Sequence, residues 1–207
     1  MTAAIVLAAG RSQRYGRANK LLEATPDGPL IGHVLDVLAA APVRPIVVVV
    51  GADGRRVARI ARRHVAHSGR LRVVSNAAYR EGMASSLRAG LSALPPHCGG
   101  ALVCLADTPG LDRRLIRRLL AHRRPGVDVA RPQHGGVPGH PVYLSQRLIT
   151  DLTDLAGDRG AQPIIRRVPA HRRRTFEAGI EAVRDIDTPG ALRRFVSASR
   201  RGHKSSR

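Results

Sequence analysis

The sequence predicts a single α/β domain with a Rossmann-like fold, in which a mostly parallel, doubly wound sheet is flanked by helices. Short apolar runs alternate with amphipathic helical patterns from residue 3 to residue 122, which is the rhythm of successive strand-helix-strand units. The runs are continuously apolar, as expected for strands buried on both faces. The length of 207 residues, of which 43% are hydrophobic, is sufficient for one well-buried core.

The first half of the chain is the more regular. Ile46 to Val50 is a β-branched run that ends at Gly51, a combination typical of a buried strand followed by a turn. The same reasoning predicts strands at 3–9, 46–50, 71–74 and 101–105, and helices at about 31–40, 54–67, 83–94 and 111–122. Right-handed crossovers would bring these strands into one parallel sheet.

The second half is less regular. Pro132 to Gly139 is rich in glycine and proline, which predicts a loop, and a loop of this length in a compact domain is often functional. Thr188-Pro189 is expected to open the last helix. Residues 197–207 are small, polar and basic, which predicts a disordered tail after a domain spanning residues 1–196.

The formal charge of +20 comes mainly from arginines that follow helical spacing. Between Arg55 and Arg63 the basic side chains alternate with Val57 and Ile60, which would form the inward face of a helix. We therefore interpret the charge as solvated helix faces whose field attracts small anions. Aromatic residues make up only 2% of the chain, and a recognition-helix or zinc pattern is missing, so nucleic acid is disfavoured as a partner.

Cysteine content and hydropathy indicate a cytoplasmic protein. Cys98 and Cys104 are too few for a disulfide framework, which fits a reducing compartment. No apolar run approaches the roughly 20 residues of a membrane span, and the opening run is too short for a secretory signal. Neither export nor membrane anchoring is predicted.

The first strand is followed by a loop suited to phosphate. Gly10 and Gly16 permit close backbone approach, while Arg14 and Lys20 can place positive charge near a triphosphate. The loop has neither the glycine pattern of the dinucleotide fold nor the ending of the P-loop. An ordinary turn is the alternative interpretation.

Two acidic segments could lie at the same edge of the sheet. Asp107 follows the 101–105 strand, and Asp185 and Asp187 alternate on what would be one side of a short strand. Mg²⁺ prefers one or two carboxylates together with substrate phosphates, so Asp107 and Asp187 could share one ion. Helix capping is the alternative for both residues.

Six ordered motifs give the chain a resemblance to a known family. They are LAAGRSQRYG at 7–16 with Lys20, EGMASSL at 81–87, LADTP at 105–109, GHPV at 139–142, GDRGA at 157–161 and DIDTP at 185–189. In this order they resemble the molybdenum cofactor cytidylyltransferases of the MobA-like nucleotidyltransferase group, over about residues 3–195. The resemblance implies a nucleoside triphosphate on the first loop, and a catalytic set of Arg14, Lys20 and Asp107.

The same resemblance implies a role for further residues. Asp107 and Asp187 would ligate Mg²⁺, and His140 would lie on the acceptor side, with a structural histidine as the alternative. The nucleotide-binding residues would be Leu7, Ala8, Ala9, Gly10, Arg14, Gly16, Lys20, Gly82, Ser85 and Ser86.

The implied reaction transfers CMP from CTP to the terminal phosphate of molybdenum-bound molybdopterin and releases pyrophosphate. Ala9, where guanylyl-transferring relatives tend to have glycine, favours cytidine. The basic surface could also support docking onto an acidic molybdoenzyme or its chaperone. Gly190 and Ala191 depart from the family, which often has an acidic pair there, and Tyr15 replaces a common methionine.

Two alternatives concern the activity itself. The protein could use another nucleoside triphosphate or phosphorylated acceptor. It could also be an NAD(P)H-dependent oxidoreductase for a small heteroaromatic substrate, as is assigned to some members resembling this group. Retention of Asp107 and Asp187 argues against the oxidoreductase, since hydride transfer needs no metal.

Overall fold

The computed structural model describes residues 1–16, 18–65, 69–150, 152, 157–158 and 160–204. The strands are β1 Ala3–Ala8, β2 Ala24–Thr25, β3 Gly28–Pro29, β4 Ile46–Val50, β5 Leu71–Ser75, β6 Gly100–Leu105, β7 Val129–His134, β8 Val137–Pro138, β9 Val142–Ser145 and β10 Arg173–Glu177. The helices are α1 Leu30–Ala39, α2 Gly54–Val65, α3 Met83–Ser92, α4 Arg113–Ala121, α5 Gln146–Thr150, α6 Gln162–Arg167 and α7 Pro189–Lys204. Among these described residues no helix is long and apolar enough to cross a membrane.

The main sheet confirms the predicted α/β architecture. Its strands lie in the order β10-β7-β9-β6-β1-β4-β5, and β8 pairs with β7. Strand β1 is parallel to both β4 and β6, whereas β9 is antiparallel to β6 and β7. The chain moves outward from β1 through β4 to β5 and then returns to the other side of β1 as β6. The topological switch point, where such sheets bind ligands, therefore lies between the carboxyl ends of β1 and β6.

Successive residues of the central strands are buried on opposite faces of the sheet. In β1, Ala4 and Val6 pack in a cluster with α1, α2 and α4, whereas Ala3 and Ile5 belong to the cluster on the other face, against α3. Both sets are fully covered, so the apolar run needs no polar face. The site that follows β1 therefore rests on a rigid central strand.

The glycine- and proline-rich segment 132–139 is where the loop prediction is wrong. Residues Val129–His134 and Val137–Pro138 form the paired strands β7 and β8. Gly135 and Gly136, with φ angles of 55° and 80°, supply the two left-handed positions that a two-residue hairpin turn requires. The glycines therefore mark a turn between strands.

The last helix includes part of the segment that the sequence analysis assigned to a tail. Helix α7 begins at Pro189, as the sequence predicts, and extends to Lys204. Residues 197–204 therefore belong to a helix, and residues 205–207 of the expected tail lie outside the described part.

Candidate active site

A cleft of about 420 Å³ opens at the carboxyl ends of β1 and β6. Its floor includes Leu7 and Leu105 from the two strands, and residues 10–14 border it as the loop that leaves β1. Ser12 in this loop has a φ of 54°, an uncommon backbone conformation for a residue with a side chain. The loop that leaves β1 thus borders the cleft at the switch point.

Three aspartates gather at the edge of this cleft. Asp107, Asp185 and Asp187 each have one carboxylate oxygen within 4.8 Å of the others. Residues 184–187 do not belong to a strand. Ile186 is buried, whereas Asp185 and Asp187 line the cleft. The Ile186 N–H donates to the Asp107 carbonyl oxygen at 2.9 Å. This backbone bond fixes the two acidic segments side by side.

Other residues cap the neighbouring helices, so neither predicted ligand has a capping role. The carboxylate of Asp112 accepts a hydrogen bond from Leu115 N at 2.6 Å at the start of α4. At the start of α7 the Thr188 hydroxyl accepts from Ala191 N at 3.2 Å. The carboxylates of Asp107 and Asp187 are therefore available to bind a ligand in the cleft.

Lys20 joins the acidic segments through its side chain. Its Nζ lies 2.5 Å from Asp107 Oδ2 and 2.6 Å from Asp187 Oδ1, and its side chain is only 11% exposed. Arg14 Nη2 lies 2.7 Å from Asp187 Oδ2, with a side chain that is 77% exposed. In this structure both cations predicted to hold triphosphate neutralise the aspartates.

The charges in the cluster shift its pKa values in opposite directions. Burial, followed by the charges of Asp187 and Asp107, raises the pKa of Asp185. Burial also acts upward on Asp187, but the hydrogen bond and charge of Lys20 and the charge of Arg14 lower its pKa overall. For Lys20 burial acts downward and is outweighed by Asp107 and Asp187, which raise its pKa. The lysine is therefore held in its charged form.

The three carboxylates fit a hard divalent cation. Mg²⁺ and Mn²⁺ prefer oxygen ligands, and a group of carboxylates whose oxygens lie within 4.8 Å of one another provides a compact set of them. Asp185 is the member that the sequence analysis did not assign as a ligand. The alternation of Asp185 with Asp187 in the sequence was the signal that could have identified Asp185 as a ligand.

The N-terminus of α3 forms another wall of the cleft. Gly82 has a φ of 111° and lies so close to residue 157 that an added Cβ would meet the Gly157 carbonyl oxygen at 2.7 Å. The carbonyl oxygen of Gly157 also accepts from Ala84 N at 3.0 Å. The two motifs EGMASSL and GDRGA therefore pack against each other, which places Asp158 on the cleft.

The two serines of α3 share one hydrogen-bond donor but differ in their other contacts. The Ser85 hydroxyl donates toward the carbonyl oxygens of Ala78 and Gly82, both at 2.9 Å, whereas Ser86 lines the cleft. Asn76 Nδ2 donates to both hydroxyl oxygens. Ser85 thus supports the wall, and Ser86 faces the ligand space.

The structure brings most of the predicted site residues to the cleft but not all of them. Ala8 packs in the core on the opposite face, and Gly16, Ser85 and His140 are not among the residues that line the cleft. The predicted residues that do line it are Leu7, Ala9, Gly10, Arg14, Lys20, Gly82, Ser86, Asp107 and Asp187. The lining residues that the prediction did not include are Arg11, Ser12, Gln13, Leu21, Tyr79, Arg80, Met83, Leu105, Asp158 and Asp185.

His140 lies next to the cleft, beneath its surface. Its Nδ1 is 3.5 Å from the Val103 carbonyl oxygen. Burial lowers the pKa of His140, partly offset by the Val103 contact and by the charge of Asp107. The ring is therefore neutral near pH 7 and close to the acidic cluster.

Comparison with known proteins identifies the family. The sequence pattern of the MobA-like NTP transferase domain matches residues 4–175. The chain belongs to this family. The match covers the loop after β1 and Asp107, whereas Asp185 and Asp187 lie beyond it.

Several known proteins are similar to this chain. Nicotine blue oxidoreductase of Paenarthrobacter nicotinovorans is 31% identical over 172 residues, 80% of this chain and 81% of that protein. The homologue of Mycobacterium tuberculosis Rv0371c from Mycobacterium sp. strain JC1 has a TM-score of 0.80 at 26% identity, with 97% of both chains covered. Rv0371c of M. tuberculosis H37Rv, solved in complex with manganese, has a TM-score of 0.73 at 26% identity and covers 95% of this chain and 98% of its own. A divalent metal is thus known in a structural relative.

Proposed function

We propose that this protein is a divalent-metal-dependent cytidylyltransferase that moves CMP from CTP onto the terminal phosphate of molybdenum-bound molybdopterin. The observation that supports it best is the convergence of Asp107, Asp185 and Asp187 with Lys20 and Arg14 at the switch point of a MobA-like fold. Carboxylates and cations beside one cleft suit a reaction between two anions, because the site must offset their mutual repulsion.

In the proposed reaction an oxygen of the acceptor phosphate forms a bond to the α-phosphorus of CTP. The bond from that phosphorus to the bridging α–β oxygen breaks, and its electron pair leaves with pyrophosphate. A phosphate nucleophile is already ionised near pH 7, so the step requires no strong general base. The demands on the protein are alignment of the two substrates and neutralisation of the leaving group.

The described residues divide these tasks. The backbone of residues 10–14 would surround the triphosphate, with Arg14 free to turn from Asp187 to phosphate because its side chain is largely exposed. Lys20 would stay near the aspartates, as its buried position indicates. Asp107, Asp185 and Asp187 would hold Mg²⁺ or Mn²⁺, which supplies charge neutralisation at the phosphates when bound.

The preference for CTP rests on Ala9 and on the resemblance to cytidylyltransferases. Ala9 lines the cleft beside Leu7 and is 3% exposed, so its methyl group narrows the space available to a base. Molybdopterin remains the proposed acceptor on the strength of the six ordered motifs. The basic surface could support a molybdoenzyme or its chaperone as a further partner.

An oxidoreductase is the second candidate, because nicotine blue oxidoreductase is 31% identical to this chain. Hydride transfer relies on a nicotinamide cofactor held against the substrate. Such a reaction would give no role to the three clustered carboxylates. This arrangement therefore favours nucleotidyl transfer.

Pyrophosphate release distinguishes the candidates. The protein is incubated with each nucleoside triphosphate, Mg²⁺ or Mn²⁺, and molybdopterin, a sugar phosphate or another phosphorylated alcohol in turn. We expect release with CTP and molybdopterin, and its loss in Asp107→Asn. Oxidation of NADPH by a heteroaromatic substrate, without pyrophosphate release under any combination, would instead establish the oxidoreductase.

A further inference from the structure

Arg131 carries a covered guanidinium nitrogen that lacks a hydrogen-bond acceptor. The residue lies on β7 and is half-buried. Its Nη1 is fully covered by protein, yet no hydrogen bond to it is formed among the described residues. Covering a charged group without pairing it is unfavourable. An unpaired nitrogen of this kind in a folded protein therefore indicates that a ligand supplies the hydrogen-bond acceptor.

The surroundings of Arg131 are themselves positive. Burial, followed by the charges of Arg173 and Arg166, lowers the pKa of Arg131. Asp128, which precedes β7, is paired with Arg172 through bonds of 2.5 and 3.0 Å. Arg173 begins β10, the strand that pairs with β7, so Arg131 has other arginines as its charged neighbours. Guanidinium groups in this arrangement are suited to an oxyanion.

The position of Arg131 connects it to the cleft. Strands β7 and β9 pair with Ala130 opposite Tyr143, and Val129 and Val142 pack in one cluster on the same face of the sheet. By alternation along β7, Arg131 also belongs to that face. The charges of Asp107 and of Arg131 both act on His140, which places this histidine near both groups.

The sheet order places these arginines away from the nucleotide loop. Strand β6, which ends at Asp107, lies between β1 on one side and β9 and β7 on the other. The loop with Arg14 leaves β1. A substrate that reaches Arg131 would therefore approach the aspartates from the side opposite the triphosphate.

We propose that Arg131, with Arg166 and Arg173 beside it, binds an anionic group of the acceptor substrate, a phosphate monoester or a similar oxyanion. The proposal rests on the proposed transferase function and assigns its acceptor side. The two substrates then meet at the aspartates with a set of cations at each end. Their mutual repulsion is offset where each one binds.

Binding of inorganic phosphate tests the site without any turnover. Calorimetric titrations at physiological salt compare the wild type with Arg131→Met and Arg166→Gln. Arg167→Gln is the matched control, because Arg167 is the exposed neighbour of Arg166 on α6 and does not act on Arg131. Loss of charge-assisted bonds should weaken phosphate binding by about tenfold or more in Arg131→Met, and by less in Arg166→Gln.

The controls separate this site from the nucleotide loop and from general attraction. Arg167→Gln should bind phosphate within about twofold of the wild type, because exposed charges are screened, and Arg131→Met should keep its affinity for CTP. Wild-type phosphate affinity in Arg131→Met, or an equal loss in Arg167→Gln, would overturn the proposal. Since no transfer is measured, failure of the cytidylyltransferase assignment would leave this result unaffected.

Thermal unfolding gives a second, independent measurement. Phosphate should raise the unfolding temperature of the wild type but have little effect on Arg131→Met. Without phosphate the variant should unfold at the same temperature or higher, because methionine removes an unpaired charge and fills similar space. A wild-type response to phosphate in the variant would show that Arg131 is structural. If Arg131→Met does not fold, Arg166→Gln provides the test, because Arg166 is exposed. Phosphate should then raise the unfolding temperature of Arg166→Gln by less than that of the wild type.

Discussion

The ammonium group of Lys20 lies 2.6 Å from a carboxylate oxygen of Asp187, although the two residues come from opposite ends of the chain. The same nitrogen contacts Asp107 at 2.5 Å. A lysine that bridges two candidate metal ligands competes with the cation that they would bind. Lys20 and Arg14 therefore offset part of the negative charge of the three carboxylates.

Replacing the clustered aspartates should remove activity and metal binding while the fold is kept. We expect Asp107→Asn and Asp187→Asn to lose several kcal/mol of transition-state stabilisation, and Asp185→Asn to lower Mn²⁺ affinity as well. Turnover and Mn²⁺ binding by electron paramagnetic resonance are the measurements. Asp27→Asn, at an exposed position, serves as the control. Near wild-type turnover in Asp107→Asn with unchanged metal dependence would contradict the metal site.

Lys20→Gln should have opposite effects on metal affinity and on turnover. Removing the competing ammonium should tighten Mn²⁺ binding in the nucleotide-free protein. Turnover with CTP should fall by about tenfold or more, equivalent to about 1.4 kcal/mol. Activity assays and Mn²⁺ titrations of the same preparation test both effects.

A matched control for Lys20 is available on α2. Arg62 and Arg63 line a separate open groove of about 890 Å³. Neutralising both should change CTP binding much less, since charges beyond about 8 Å are largely screened at physiological salt. If Lys20→Gln and the neutralisation of Arg62 and Arg63 weakened CTP binding equally, diffuse electrostatics rather than the loop after β1 would hold the nucleotide.

Ala9→Gly should relax the choice of base. The methyl group of Ala9 lies at the cleft next to Leu7, and the sequence favours CTP over GTP. Removing the methyl group should raise the kcat/KM for GTP relative to that for CTP. The expected change is about 10-fold, the contribution of one methylene to specificity. The comparison needs both nucleotides with both proteins. Comparable kcat/KM values in the wild type would remove the basis for the cytidylyl assignment.

Asp128→Asn should destabilise the protein in a pH-dependent way. Asp128 accepts bonds from Arg172 and from the Ser145 hydroxyl, the latter at 2.8 Å. The Arg172 hydrogen bond lowers the pKa of Asp128, with help from Ser145 and against the effect of burial. The folded-state pKa thus lies below the unfolded value of about 3.9. The stabilisation is present above that value and is lost as the pH falls through the folded-state pKa.

Unfolding temperatures measured from pH 7 down to about pH 3 test this expectation. The difference between wild type and Asp128→Asn should be largest near pH 7 and should shrink in acid. Asp112→Asn is the control, because asparagine caps a helix about as well as aspartate. A difference that does not change with pH would mean that Asp128 stabilises the fold by packing alone.

The sequence predicted the sheet because its strands carry local signals. The run from Ile46 to Val50 is buried throughout, so its composition alone specifies a central strand. Asp107 and Lys20 could be placed for the same reason, since each follows such a strand. Ala8 could not be separated from Leu7 and Ala9 without knowing which sheet face opens to the cleft.

Other features depend on contacts between distant parts of the chain. Gly135 and Gly136 predict a turn, but pairing of β7 with β10 and β9 decides that the flanking residues are strands. Likewise, nothing near Ser85 shows that its hydroxyl is used by the Ala78 carbonyl group. Asp185 is also separated from Asp107 by 78 residues, so its neighbours in sequence do not show that the two carboxylates lie side by side.

The backbone hydrogen bond between Ile186 and Asp107 can form only after residue 186 has been synthesised, so the acidic cluster is assembled late. Every strand of the sheet precedes residue 178, so a growing chain that ends before Asp185 already contains the whole sheet. It carries only one of the three carboxylates. The three carboxylates therefore come together only when Ile186 and Leu192, packed against Leu30, attach the segment that carries Asp185 and Asp187. The acidic cluster is thus completed only after the sheet has been synthesised.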